Sequence, residues 1–217
     1  MSIQPRCLRY DAVIAGARVA GAATALLLAR GGWRVLVVDP LPRGRDTLST
    51  HALMRGAVLQ LHRWGVLDKL REVGTPALRT TTFDYGDEEI SIPIEPRGGI
   101  DGLYAPRRTI LDPLLAAAAE RAGAELVHGL RLDDVTRDGT GRVDGAWLAG
   151  PGTRVRVQAD WVIGADGLRS QVARRVGAVL RHRARHTTAS IYGYWPGLPS
   201  EGYRWYFRPG VGAGIIP

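Results

Sequence analysis

Residues 11–39 read DAVIAGARVAGAATALLLARGGWRVLVVD. The opening DAVIAG is a short apolar run closed by glycine, which predicts a buried parallel strand. AGAATALLLARGG is rich in alanine and leucine and stops at Gly31 and Gly32, predicting a helix with a glycine cap. WRVLVVDP then predicts a second buried strand, ended by Asp39 and Pro40. Strand, tight turn, helix and strand in this order make a right-handed βαβ crossover, so the fold class is α/β.

Small residues sit where this unit needs close approach. Gly16 falls at the tight turn, and Gly21, beside Ala20, falls where the helix must pack on the strand. Arg18 stands in place of the second glycine of the usual G-x-G-x-x-G turn. Its side chain either turns away from the cleft or folds a guanidinium over bound phosphates. The helix N-terminus offers backbone donors whichever holds. Asp39 closes the second strand about twenty residues after the turn, where a carboxylate accepts hydrogen bonds from a ribose. An ordinary βαβ unit with an acidic strand end would leave the agreement of turn, small residues and acid unexplained.

The composition excludes several classes. The chain has 217 residues, 45% of them hydrophobic, enough to bury a core. Its net charge of +8 would ordinarily raise nucleic acid as a partner, but Lys69 is its one lysine and the arginines lie scattered among acids. No nucleic-acid partner is expected. Cys7 is the sole cysteine, which rules out an intrachain disulfide and argues for a reducing cytoplasm. The first residues lack a signal-peptide core, and the longest apolar run, Ala22 to Ala29, is too short for a transmembrane segment. The histidines show no ligand spacing with acids, so no metal is expected, and there is no G-x-S-x-G nucleophile turn.

Beyond Asp39, residues 49–74 predict two helical pieces, capped by Ser49 or Thr50. Residues 78–94 predict a hairpin around Gly86 and Asp87. Residues 105–129 return to helix then strand, with Pro113 in the early turns or kinking the helix. Leu130 to Gln158 predicts a small meander, ADWVIGADG another buried strand, and SQVARRVG a helix. The aromatic-rich residues 187–217 predict strands of the same layer as Thr80 to Ile94.

Four stretches together, the first βαβ unit, DTLSTH at 46–51, APRRTILDPLL at 105–115 and VIGADGLRSQVARRVG at 162–177, resemble the FAD-dependent aromatic hydroxylase family. These are p-hydroxybenzoate hydroxylase-like flavoprotein monooxygenases, with geranylgeranyl reductase-like enzymes as relatives. The resemblance implies a Rossmann-like FAD-binding domain with an inserted β-sheet substrate-binding layer. The expected parts are 1–79 and 104–182 for the FAD-binding domain, with 80–103 and 183–217 for the substrate layer. It further implies that Arg108, heading R-x-x-L-x-x-x-L, contacts the flavin, with Arg107 a neighbouring candidate. Asp166 and Gly167, with Ser170 in the next turn, match a motif near the FAD pyrophosphate that also serves NAD(P)H. Ala173 stands where the family usually has arginine, and Arg174 follows one step later.

Carried to function, the resemblance implies non-covalent FAD, reduction by NADPH or NADH, and oxygen transfer to an apolar or aromatic small molecule by hydroxylation or epoxidation. His51 is the candidate catalytic side chain, with capping or packing as its plainer role. The aromatics Tyr192, Tyr194, Trp195, Trp205, Tyr206 and Phe207 either line a water-shielded pocket or pack the second sheet. The chain stops in mid-pattern at GAGIIP, ahead of the place where the family carries a Gly-Asp pair against the ribityl chain. The expectation is a fold incomplete at the C-terminus, with weakened or absent FAD affinity and no turnover. Three alternatives stand beside the monooxygenase: a FAD-dependent reductase of prenyl double bonds, an NAD-dependent dehydrogenase, and a non-enzymatic basic interaction module. The sequence does not specify the oligomeric state.

Overall fold

The computed structural model describes residues 5, 8–49 and 51–217. In chain order its elements are β1 (Arg9–Ala15), α1 (Val19–Arg30), β2 (Val35–Asp39), α2 (Arg55–Trp64), α3 (Leu67–Glu72), β3 (Thr80–Asp84), β4 (Glu89–Pro93), α4 (Arg108–Arg121), β5 (Glu125–His128), β6 (Arg131–Arg137), β7 (Val143–Gly150), β8 (Thr153–Gly164), α5 (Gln171–Arg175), β9 (Tyr203–Arg208) and β10 (Val211–Ile215). They form two compact units, residues 1–47 with 108–178, and residues 48–107 with 179–217. Cys7 and Thr50 lie outside the described residues.

The first unit is built on a six-stranded sheet in the order β5-β2-β1-β8-β7-β6. β5, β2, β1 and β8 run parallel, and β7 and β6 continue from β8 as an antiparallel meander. Parallel strands buried on both faces read as continuous apolar runs, which is why DAVIA and VLVVD were legible. Val13, Leu36, Val38, Leu132, Leu148 and Val157 form the centre of its core. α1 packs against α4 through small buried residues, Ala22, Ala25 and Ala29 on one side and Ala116 and Ala119 on the other. The chain leaves α1 through a Schellman turn: the Trp33 amide donates to the Leu28 carbonyl at 3.1 Å and the Gly32 amide to Ala29 at 3.0 Å. Gly32 carries the left-handed conformation, φ +84°, that this turn requires.

β8 departs from expectation. Residues 153–164 form one twelve-residue strand, whose first half pairs antiparallel with β7 and whose second half pairs parallel with β1. Its second half has a partner on one side only, so it is not the buried strand that its apolar sequence predicts. Trp161 is 58% exposed there.

The second unit carries a four-stranded sheet in the order β10-β9-β3-β4, with β3 parallel to β9 and the other pairs antiparallel. The predicted hairpin at Gly86 and Asp87 is the β3–β4 connection, closed by the Tyr85 amide on the Glu88 carbonyl at 2.9 Å. The strands late in the chain join Thr80–Asp84 in one sheet, as their aromatic pattern predicts. By contacts, residues 48–79 with α2 and α3 pack within this unit. α2 begins at Arg55 with Met54 at the N-cap and no side-chain cap. Ser49, a predicted cap, instead accepts from the His51 amide at 3.2 Å.

Tyr203 anchors the unit. Its ring is fully buried, and its hydroxyl donates to the Tyr104 carbonyl at 2.6 Å and accepts from the Leu53 amide at 3.0 Å. Arg71 bridges Asp101 and Tyr104 nearby, at 2.6 Å and 3.0 Å. Burial pushes the Tyr203 hydroxyl up to about 12. A folded-state value above the unfolded value of about 10 gives stability that is present below pH ~10 and lost as pH rises toward 12. Urea unfolding midpoints measured across that range should fall for the wild type and fall less steeply for Tyr203→Phe.

Candidate functional site

The C-terminal ends of β1, β2 and β5 open onto a shallow cleft in the first unit, open to solvent. Ala17, Arg18, Asp39, Arg43, Asp112 and His128 are among its lining residues. Open parallel sheets place ligands at this end of their strands.

The turn between β1 and α1 is fixed by backbone contact. Gly16 has φ +103°, and its amide donates to the Val38 carbonyl at 2.8 Å. A Cβ on Gly16 would lie 2.4 Å from the Ala165 carbonyl oxygen, and one on Gly21 would lie 1.7 Å from the Gly16 carbonyl oxygen. Only glycine fits at either position. Arg18 is different: it sits at the N-cap of α1 with φ −82° and ψ −168°, extended backbone open to any residue. That is why arginine is tolerated where the common motif has glycine. Its guanidinium lines the cleft and donates to the Thr47 hydroxyl. No side chain caps α1 and no acid lies in its first turn, so its leading amides are left without a side-chain acceptor. Ala20, in that first turn, has a side chain too small to obstruct the approach.

Asp39 is 7% exposed and holds two segments together. Its Oδ2 accepts from the Ala17 amide at 2.9 Å and its Oδ1 from the Leu41 amide at 2.8 Å. Each oxygen keeps a further lone pair for a ligand hydroxyl. His128 Nδ1 lies 2.8 Å from the Leu41 carbonyl, and Arg43 pairs with Glu120, so the loop after β2 is tied to α4 and β5.

Arg108 heads α4, and its guanidinium grips Asp112 one turn on with a fork of two hydrogen bonds, Nε to Oδ1 at 2.7 Å and Nη2 to Oδ2 at 2.9 Å. Both side chains are largely buried, 16% and 7% exposed. Sequence reasoning missed Asp112, although the i, i+4 spacing of Arg108 and Asp112 was a signal. Arg43 and His128 were missed too, because nothing local marks them.

Asp166 adjoins the Gly16 turn through its neighbour: the Ala165 amide donates to the Ala15 carbonyl at 2.8 Å. Asp166 Oδ2 accepts from the amides of Gln171 at 2.6 Å and Val172 at 3.2 Å. Gly167 takes φ +80°, and Ser170 caps α5 by accepting from the Ala173 amide at 3.0 Å. These contacts give the motif a local role in shaping the turn.

His51, Arg107 and Tyr194 meet in the second unit. His51 is the only described non-glycine residue with positive φ, +59°, and it is buried, 9% exposed. Its Nε2 lies 2.7 Å from the Tyr194 hydroxyl, while the Arg107 guanidinium stacks 3.9 Å from the centre of the Tyr194 ring. A buried side chain held on a strained backbone is the usual mark of an over-determined site. Of the other aromatics, Trp205 packs on Tyr203 and Phe207 on Tyr85, with Tyr206 beside Arg204. Among the described residues no group of three or more His, Cys, Asp or Glu side chains has metal-binding geometry, and no helix is long and apolar enough to cross a membrane.

The FAD binding domain family matches residues 9–195. The chain is 35% identical over 187 residues to the menaquinone reductase of Mycolicibacterium smegmatis, covering 86% of this chain and 44% of that protein. It is equally 35% identical over 174 residues to the phenazine 1,6-dicarboxylic acid hydroxylase PhzS of Lysobacter antibioticus, covering 76% and 42%. In fold it is similar to a geranylgeranyl bacteriochlorophyll reductase-like protein from Thermoplasma acidophilum, with TM-score 0.68 at 21% identity over 92% of this chain and 50% of that one. The chain thus spans less than half the length of the curated relatives it matches.

Proposed function

The chain belongs to the FAD binding domain family, whose members are FAD-dependent oxidoreductases and monooxygenases, and on that premise we propose that its first unit holds the ADP half of a non-covalent FAD. The observation that carries this is the glycine turn: Gly16 and Gly21 leave no room for a Cβ, and they bring the uncapped start of α1 to the cleft. The α1 amides, with Ala20 leaving them accessible, and the Arg18 guanidinium face the pyrophosphate. Asp39 accepts from the ribose hydroxyls with the lone pairs its backbone contacts leave over. Arg108, held by Asp112, presents its remaining donors on the flavin side, and Arg107 serves the same end of the cofactor. Asp166, Gly167 and Ser170 shape the turn against which the pyrophosphate and NAD(P)H are placed. Bound FAD supplies two-electron redox chemistry, which no side chain of this protein can provide alone.

The whole protein then acts as a cytoplasmic oxidoreductase, using NADPH or NADH and dioxygen to hydroxylate or epoxidise an apolar or aromatic small molecule, with one oxygen atom going to the product and the other to water. Residues 1–79 and 104–182 serve the cofactor, while 80–103 and 183–217 contribute to substrate binding. His51, hydrogen-bonded to Tyr194, is the side chain placed to take or give a proton. A second reading is FAD-dependent reduction of a prenyl double bond, and the similarity to a protein named menaquinone reductase supports a reductase. Incubation with FAD, NADPH or NADH and candidate quinones or phenols separates the two. Oxygen uptake matched to a hydroxylated product supports the first, and a saturated product formed without oxygen supports the second.

Arg18→Ala should leave the fold unchanged, since its extended backbone suits alanine equally. It should weaken FAD binding by roughly tenfold, the loss of one charge-assisted contact of about 1.5 kcal/mol. Fluorescence titration of both proteins with FAD measures the difference.

A further inference from the structure

Between Asp166 and Glu201 the chain has no acidic residue, yet residues 179–198 of the second unit carry Arg181, Arg183 and Arg185 within five positions. The stretch contains no helix or strand and its arginines are exposed. None of the three has a carboxylate within ion-pair distance among the described residues. Apolar side chains flank them in full contact with water: Leu180 is 76% exposed, Trp195 70% and Ile191 100%.

A cationic run alone suits any polyanion, and its net attraction is screened by salt. Exposed leucine, isoleucine and tryptophan gain nothing against a phosphodiester backbone. They gain when moved from water into an apolar boundary. Arginine at the headgroups with aliphatic and indole side chains just beneath is the pairing that a bilayer interface rewards. We propose that residues 179–198 are a peripheral docking surface for an anionic lipid bilayer, on which Arg181, Arg183 and Arg185 meet lipid phosphates and Leu180, Ile191 and Trp195 enter the interface. This is attachment to a surface, distinct from spanning it. The residues it uses, Leu180, Arg181, Arg183, Arg185, Ile191 and Trp195, are none of those lining the Gly16–Asp39 cleft, and Tyr194, which holds His51, is not among them.

The test is co-sedimentation of the full chain with phosphatidylcholine vesicles, made with and without phosphatidylglycerol. Binding is expected to the anionic vesicles alone and to weaken with added salt. The triple variant Arg181→Gln, Arg183→Gln, Arg185→Gln should lower partitioning roughly 100-fold, at about fivefold for each arginine lost near the surface. Leu180→Ser with Ile191→Ser should lower it at least tenfold while retaining the arginines. All five positions are exposed and outside regular structure, so circular dichroism should be unchanged. Absence of binding, equal binding to neutral vesicles, or binding unaffected by the triple variant would each overturn the proposal. So would tighter binding to duplex DNA that survives the Leu180→Ser and Ile191→Ser changes, which would reassign the surface to nucleic acid.

Discussion

Gly21→Ala is expected to cost the first unit about 3 kcal/mol or more, at the severe end of what overpacking produces. The added Cβ would lie 1.7 Å from the Gly16 carbonyl oxygen, and that oxygen belongs to a turn already seated on Ala165. Neither side of the contact is a flexible side chain, so relief requires α1 to lift from β1. The same shift would spoil the start of α1, so loss of stability and loss of cofactor binding should appear together. Gly56→Ala is the matching control: Gly56 lies inside α2, and a Cβ there meets nothing within 4 Å. That change should stabilise by about 0.5–1 kcal/mol through helix propensity and chain entropy. Urea unfolding of the two variants against the wild type measures both effects.

Arg108→Ala should destabilise by about 3 kcal/mol, because it leaves the Asp112 carboxylate, 7% exposed, without its cation. The penalty lies mostly in the stranded charge. Replacing both partners by apolar residues of similar volume, Arg108→Met with Asp112→Leu, should therefore recover most of the loss. The double variant has a second use. A protein that regains stability yet binds FAD more weakly assigns Arg108 a contact with the cofactor. One that binds FAD as the wild type does confines Arg108 to holding α4. Thermal unfolding and FAD titration of the single and double variants separate the two roles.

The parts of the molecule that were legible in sequence are those set by neighbours in the chain. DAVIAG, the alanine-rich helix and VLVVD announced β1, α1 and β2 because burial on both faces and glycine punctuation are local signals. The hairpin at Gly86 was legible for the same reason. β8 was legible as a strand but not in its exposure, since its second half has a partner on one side only, and pairing partners are not written in the strand itself. The start of α2 was misplaced because Met54 caps nothing while Ser49, the better cap by type, is spent on the His51 amide. At the cleft, Gly16, Gly21 and Asp39 stood out by spacing, whereas Arg43 and His128 arrive from loop and strand ends that only the folded sheet brings together. Tyr203 carried no mark at all: its importance lies in contacts to Leu53 and Tyr104, about 150 and 99 positions away. Composition also misled in one respect, for arginines scattered over the whole chain conceal an acid-free stretch of it.

The most direct test of the FAD assignment is a titration of the purified chain with FAD, followed by flavin fluorescence, with ADP as competitor. If the cleft at Gly16, Arg18 and Asp39 holds the ADP half of the cofactor, the signal saturates and ADP reverses it. FAD that binds but is not displaced by ADP, or that binds equally well to the Arg18→Ala variant, would contradict the assignment of that cleft.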